Sequence, residues 1–291
     1  MTVQVTPATH AGIDGLPVAA LKLTAAAVIY RIRKLEMANL AAAVAIALAL
    51  RLPFVDVVVR AAFAFVLNAL VYLNNDYIDV QIDLSSADKD RDKARYLAAH
   101  MPAALAAQWS LVALLVGVAV VYDLGLLVPL IAGGGICWWY SAQLKHRPYL
   151  DILAMIIWGV TMPLCGSPLD STIGILMALQ LGLFSGVFET IQVMRDADED
   201  REEGVRTTGV VLGKARSLTL ARVQMVFCSL YALLVLQPWA AAVSAGALVV
   251  PFSETNIERY WTRVKLVYGI AWLVICAWVW WYGDRAGLLT F

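Results

Sequence analysis

Long apolar blocks alternate with short polar ones along this chain, and the blocks are the length that a lipid bilayer asks for. A membrane crossing takes about 20 mostly apolar residues in a helix. By that measure about nine blocks predict transmembrane helices. They run approximately from Leu35 to Leu50, Val55 to Asn74, Pro102 to Val121, Leu124 to Ser141, Leu150 to Cys165, Thr172 to Met194, Leu218 to Leu236, Trp239 to Phe252 and Val264 to Tyr282. The first, fifth and eighth are short for a crossing. The predicted fold class is an all-α integral membrane protein with the lipid bilayer as its solvent, residues 35–291 forming one transmembrane domain. Residues 1–34 read as an N-terminal tail with a short surface helix. The tail lacks the basic, apolar and small-residue succession of a cleaved signal, so it is expected to be retained.

Composition agrees. Hydrophobic residues make up 61% of the 291 and charged residues 15%, with a mean hydropathy of +0.74, far more apolar than an ordinary soluble domain. The formal net charge is zero, which gives no reason to expect a nucleic-acid partner. The four cysteines lie in apolar segments without CxxC or Cys/His spacing and read as small core side chains.

The position of the charges says more than their sum. Lys and Arg collect in cytoplasmic segments of membrane proteins. If the N-terminus is cytoplasmic, the inner face receives Lys22, Arg31, Arg33, Lys34, Lys89, Arg91, Lys93, Arg95, Lys145, Arg147, Arg195, Arg201, Arg206, Lys214, Arg216, Arg259, Arg263 and Lys265, and the outer face only Arg51, Arg60 and Arg285. A bacterial inner membrane is the expected location. Two inner loops are predicted to be long and polar, Asn75 to His100 and Arg195 to Ser217. With an even number of crossings between them, they open on the same face.

Both loops are acidic in a helical rhythm. Asp76, Asp79 and Asp83 fall within an arc of about 60° on a helix and would repel one another without a cation between them. In the second loop Asp196, Asp200 and Glu203 follow an i, i+4, i+7 spacing, and the same stripe runs back through Gln192 to Glu189, inside an apolar span. Clustered hard oxygens suit Mg²⁺, which is usually held by one or two carboxylates and substrate phosphates. Two such clusters at the mouth of a lipid-facing cavity point to a diphosphate with a lipid tail, an isoprenyl diphosphate being the obvious candidate. Each stretch alone also fits a solvated acidic segment. An EF-hand does not fit, because Arg201 or Lys93 falls where the loop glycine belongs.

Asn75-Asp76-x-x-Asp79-x-x-x-Asp83 resembles the NDxxDxxxD motif of the UbiA superfamily of intramembrane prenyltransferases, and Asp196-x-x-x-Asp200 resembles its DxxxD motif. Gly204-Val205-Arg206-Thr207 running to Leu212-Gly213, and Tyr140-Ser141 followed by Leu144-Lys145, are similar to further family segments. The resemblance implies nine helices around a central cavity, Mg²⁺ and diphosphate held by the acidic motifs at the cytoplasmic side, and transfer of a prenyl chain to an acceptor. That acceptor is often aromatic, such as a quinone precursor or a hydroxylated heteroaromatic like a quinolone. One departure is the stretch after the first motif, LSSADKDRDKARYLAAH, which has no proline before Pro102, whereas many relatives carry a basic stretch with proline.

On this reading Asp76, Asp79, Asp83, Asp196 and Asp200 are metal ligands, with Asn75 as an oxygen ligand or hydrogen-bond partner. Lys93, Arg95, Lys145 and Arg147 are diphosphate candidates, and Tyr140 a donor to a phosphate oxygen. Tyr72, Trp138, Trp139 and Trp158 could stabilise a cation through their ring faces; for the tryptophans, interfacial belt or core packing is the competing reading. Asn68 and Glu189 are polar groups within spans, which marks them as functional candidates. Both would line the cavity deeper than the metals, Glu189 orienting an acceptor hydroxyl or taking a ring proton; the alternative is a protonated acid bonded between helices. Two other functions compete: a membrane terpene cyclase or transfer to a non-aromatic acceptor, and a cation transporter. Against the transporter, most acids lie at helix ends on one face and no inverted repeat is evident.

Overall fold

The computed structural model describes residues 15–33, 37–85, 90–202 and 204–283. The start of the expected tail, Glu203 of the second acidic stripe, and Lys34, Lys89 and Arg285 of the charge tally lie outside the described residues. Among the described residues the chain is all-α: α1 (Leu16–Arg33), α2 (Ala38–Ala49), α3 (Phe54–Ser85), α4 (Arg91–Ala99), α5 (Met101–Tyr122), α6 (Gly135–Ala142), α7 (Leu150–Thr161), α8 (Thr172–Glu202), α9 (Thr208–Tyr231), α10 (Pro238–Ala245) and α11 (Ile257–Tyr282). Caps mark several starts. Asp90 accepts from the Lys93 N–H at 3.1 Å, and Asn256 accepts from Arg259 N–H at 2.9 Å, each supplying a partner that the first turn of a helix lacks. Pro102 and Pro238 occupy first turns, where no N–H is needed.

Among the described residues six segments are long and apolar enough to cross a membrane: Phe54–Leu84, Met101–Tyr122, Leu124–Ala142, Thr172–Glu202, Thr208–Leu236 and Ile257–Tyr282. Three shorter apolar helices, Ala38–Ala49, Leu150–Gly166 and Pro238–Val249, occupy the three blocks that were short in the sequence. Among the described residues the expected long polar loops are mostly helical. α3 continues through the first acidic motif and α8 through the second, because their polar residues still form main-chain helical bonds once the hydrocarbon ends; α4 and the start of α9 take up most of the remaining polar residues.

Three apolar clusters hold the bundle together. One joins α2 to α8–α11 around Met177, Phe184, Met225 and Tyr268. A second joins α3, α5, α6 and α7 around Leu67, Leu115, Cys137 and Met162. The third fastens α1 onto α3, α4 and α5 through Ala19, Leu23, Leu73, Leu97 and Ala104, so the predicted surface helix has a buried face. α7 and α8 approach closely at small residues. A Cβ on Gly182 would stand 2.3 Å from the Val160 side chain, the kind of contact that packs membrane helices in the absence of a hydrophobic drive between them. Cys137, Cys165 and Cys228 are free and buried, as small core side chains should be.

Arg60, expected as an outer-face charge, is buried. Its guanidinium pairs with Asp123 and donates to the carbonyls of Cys165 at 3.3 Å and Ser167 at 3.2 Å. It ties α3 to the turns that follow α5 and α7.

Candidate active site

α3 and α8 contain 32 and 31 residues and so extend for ~46 to 48 Å at 1.5 Å per residue, against about 30 Å of hydrocarbon. Their last turns project from the apolar layer, and those turns carry the acids. α1 and α4 close over the projecting end of α3. Asp76 is 3% exposed, with Lys93 Nζ 2.6 Å from Oδ2 and Arg31 Nη2 3.6 Å from Oδ1. The Lys93 contact has the distance of an ion pair without the alignment of a hydrogen bond, so Oδ2 is buried with no directed donor. Arg31 also lies over the Tyr72 ring, 4.9 Å from its centroid, and Lys93 over Tyr30 at 4.6 Å. Tyr30, Arg31, Asp76, Asp83, Asp90 and Lys93 share a pocket there with Ala94 and Leu97.

The end of α6 and the turn after it form a junction between the two motif-bearing helices. Lys145 pairs with Asp79, the Ser141 hydroxyl donates to Asn75 Oδ1 at 3.0 Å, and the Tyr140 hydroxyl donates to Glu189 Oε1 at 3.0 Å. Next to Lys145, His146 titrates below its ordinary value, chiefly because burial and then the Lys145 charge disfavour its cation, with Asp79 pulling the other way.

In the second motif Arg195 grips Asp196 with two bonds of 2.6 and 3.0 Å. The same guanidinium reaches Glu258 of α11 at 2.7 Å and lies over Trp261. Asp200 Oδ2 accepts from the Thr207 hydroxyl at 2.8 Å, and Thr207 caps α9 by accepting from Val210 N–H at 3.4 Å.

Among the described residues no three carboxylate, imidazole or thiol groups converge into a ready metal cage. Asp76, Asp79, Asp196 and Asp200 each hold a lysine, an arginine or a hydroxyl, which answers the repulsion within each cluster by side-chain cations and donors. The donor set nevertheless fits a hard divalent ion: all its ligating atoms are oxygens, and the buried Asp76 Oδ2 has no directed partner.

Some sequence candidates stand apart from the acids. Arg95 is 69% exposed and paired with Asp92, and Arg147 is also exposed. Trp138 and Trp139 are exposed and Trp158 is buried in the core. Asn68 is fully buried, ~10 Å deeper than Asn75 at helical rise. It donates to the Ala64 carbonyl at 2.9 Å and to Met162 Sδ at 3.6 Å, and its Oδ1 has no partner.

Tyr30 and Arg31 were given no site role from the sequence, and Thr207 was named only within a family-like segment. Arg31 counted only as an inner-face charge, since nothing local shows α1 folding onto α3. Thr207 had a usable signal: a threonine opening an apolar helical stretch is an N-cap pattern.

Comparison with known proteins bears on this geometry. A profile of the UbiA prenyltransferase family matches residues 37–286. No curated protein sequence matches the chain. Among solved structures, one reported for digeranylgeranylglyceryl phosphate synthase in membranes superposes with a TM-score of 0.63 at 14% identity, covering 91% of this chain and 99% of that one. A UbiA homolog from Archaeoglobus fulgidus bound to GPP and Mg²⁺ superposes with a TM-score of 0.58 at 15% identity, covering 94% and 91%. At these identities the structural likeness is one of fold. With the family match spanning most of its length and six helices of membrane-crossing length among the described residues, this integral membrane protein belongs to the UbiA prenyltransferase family.

Proposed function

We propose that the protein transfers an isoprenyl chain from an isoprenyl diphosphate to an aromatic acceptor within the membrane, with Mg²⁺ at the diphosphate end. The observation that carries the reading is the α6 junction, where Lys145, Ser141 and Tyr140 join Asp79 and Asn75 of the first motif to Glu189 of the second motif's helix. The three short apolar helices complete nine crossings around a central cavity, and the basic residues flanking the acidic end make that end cytoplasmic, in a bacterial inner membrane.

Asp76, Asp79, Asp83, Asp196 and Asp200, with Asn75, would hold Mg²⁺, which the Archaeoglobus homolog binds together with GPP. Bound there, the ion neutralises charge growing on the departing diphosphate. Lys93, Arg31 and Lys145 donate to phosphate oxygens and stabilise the same charge. The apolar interior beneath them keeps water from the allylic cation and holds the acceptor ring against it. Tyr140 orients Glu189, which takes the ring proton after attack.

The test is product formation by the purified protein in liposomes with geranyl, farnesyl and geranylgeranyl diphosphates, Mg²⁺, and a panel of hydroxylated aromatic and lipid acceptors. The expected product is prenylated, depends on both Mg²⁺ and an aromatic acceptor, and falls by about a hundredfold or more in Asp76→Ala and Asp196→Ala. A hydrocarbon or terpene alcohol formed without acceptor would make the protein a cyclase, adducts with lipid acceptors alone would replace the aromatic assignment, and no diphosphate release from any donor would overturn the reading.

A further inference from the structure

Asp151 has no part in the chemistry above, yet it is a fully buried carboxylate in the first turn of α7. A buried charge is costly unless its oxygens are matched by donors, and here they are. Thr208 of α9 donates its N–H to Asp151 Oδ2 at 2.7 Å and its hydroxyl to Oδ1. Ile152 N–H reaches Oδ1 at 2.8 Å, and the Thr208 hydroxyl accepts from Tyr149 N–H at 2.6 Å. Tyr149 is held at a φ of 69°, a backbone region that a non-glycine residue keeps only where its surroundings fix it.

Two further contacts carry this ring to the second motif. Thr207, adjacent to Thr208, donates to Asp200 Oδ2. Gly209 lies so close to α8 that a Cβ on it would stand 1.8 Å from the Val193 carbonyl oxygen, one turn before Asp196. Meanwhile Lys145, six residues before Asp151, holds Asp79 of the first motif. One short stretch of chain thus grips both acidic ends.

Resting on the transfer reading, we propose that Asp151 and Thr208 form a clamp that sets the spacing of the second acidic motif against the first, so that Asp151 is a positioning residue for the diphosphate–Mg²⁺ site. Outer partners of this kind orient ligands that they do not themselves supply.

The test uses the full chain in liposomes and compares wild type with Thr208→Val, which removes the hydroxyl, and Thr208→Ser, which keeps it. Thr208→Val is expected to raise the Mg²⁺ concentration for half-maximal turnover and the KM for the prenyl diphosphate by about tenfold, with kcat at saturation changed by less than about threefold. Thr208→Ser is expected to restore both within about twofold. If Thr208→Val is not recovered folded, Asp151→Asn, which keeps the shape and one acceptor, is held to the same criterion. A variant that melts at lower temperature but keeps the wild-type KM and Mg²⁺ dependence would overturn the clamp while leaving the transferase intact. Wild-type protein that releases no diphosphate would instead overturn the transfer reading, and the positioning role with it.

Discussion

A carboxyl group within a membrane span is expensive to charge, and Glu189 meets the Tyr140 hydroxyl there at 3.0 Å. In the proposed reaction the tyrosine fixes the carboxylate, and the carboxylate takes the proton and becomes the neutral acid. Glu189→Gln keeps an acceptor for Tyr140 and removes the base, so kcat is expected to fall about a hundredfold or more while the KM for the prenyl diphosphate holds. Steady-state kinetics at saturating acceptor reads both values, and unchanged turnover would remove the role. At this scale the sequence was informative about type and face. Asp76, Asp79 and Asp83 could be placed on one side of a helix, and Glu189 stood out as an acid in apolar surroundings. What could not be read was who meets whom: Arg31 on Asp76 and Lys145 on Asp79 depend on how whole helices pack.

Helices set those meetings by how closely they approach. At Gly209 the neighbour is the backbone of α8 itself, which cannot swing aside as a side chain would. Gly209→Ala is expected to cost about 1–3 kcal/mol by overpacking and to lower the melting temperature in detergent. Gly117 of α5 is the control: a Cβ there meets nothing within 4 Å, so Gly117→Ala should hold or raise stability, by up to about 1 kcal/mol from helix propensity. The reverse order would show that the α8–α9 contact is looser than described. Element ends were the least legible part of the sequence. Hydropathy reports where lipid stops, whereas a helix stops where its main-chain bonds stop, so α3 and α8 run on through Ser85 and Glu202 past the apolar boundary that marked the predicted spans.

The whole molecule divides its tasks between two ends. Arg60 and the acids of α3 stand ~24 Å or more apart along one helix, and at its own end Arg60 gathers Asp123 and two carbonyls into a buried knot. Arg60→Ala is expected to destabilise the protein by about 1–3 kcal/mol, read as a lower melting temperature. The KM for the prenyl diphosphate is expected to stay at the wild-type value, because the proposed diphosphate contacts lie at the other end; a raised KM would mean that the two ends are coupled.

The cations already seated on the acids have a consequence for how such a site fills. Asp76 and Asp79 are engaged by Arg31, Lys93 and Lys145, so in the proposed reaction loading would be a swap of partners and not the neutralisation of a bare negative surface. A divalent ion alone would displace the basic side chains and leave them stranded, and a diphosphate alone would take them and leave the carboxylates stranded. Arriving together, each would give the other's displaced groups a new partner, and in the proposed reaction ion and diphosphate would thereby favour each other's binding.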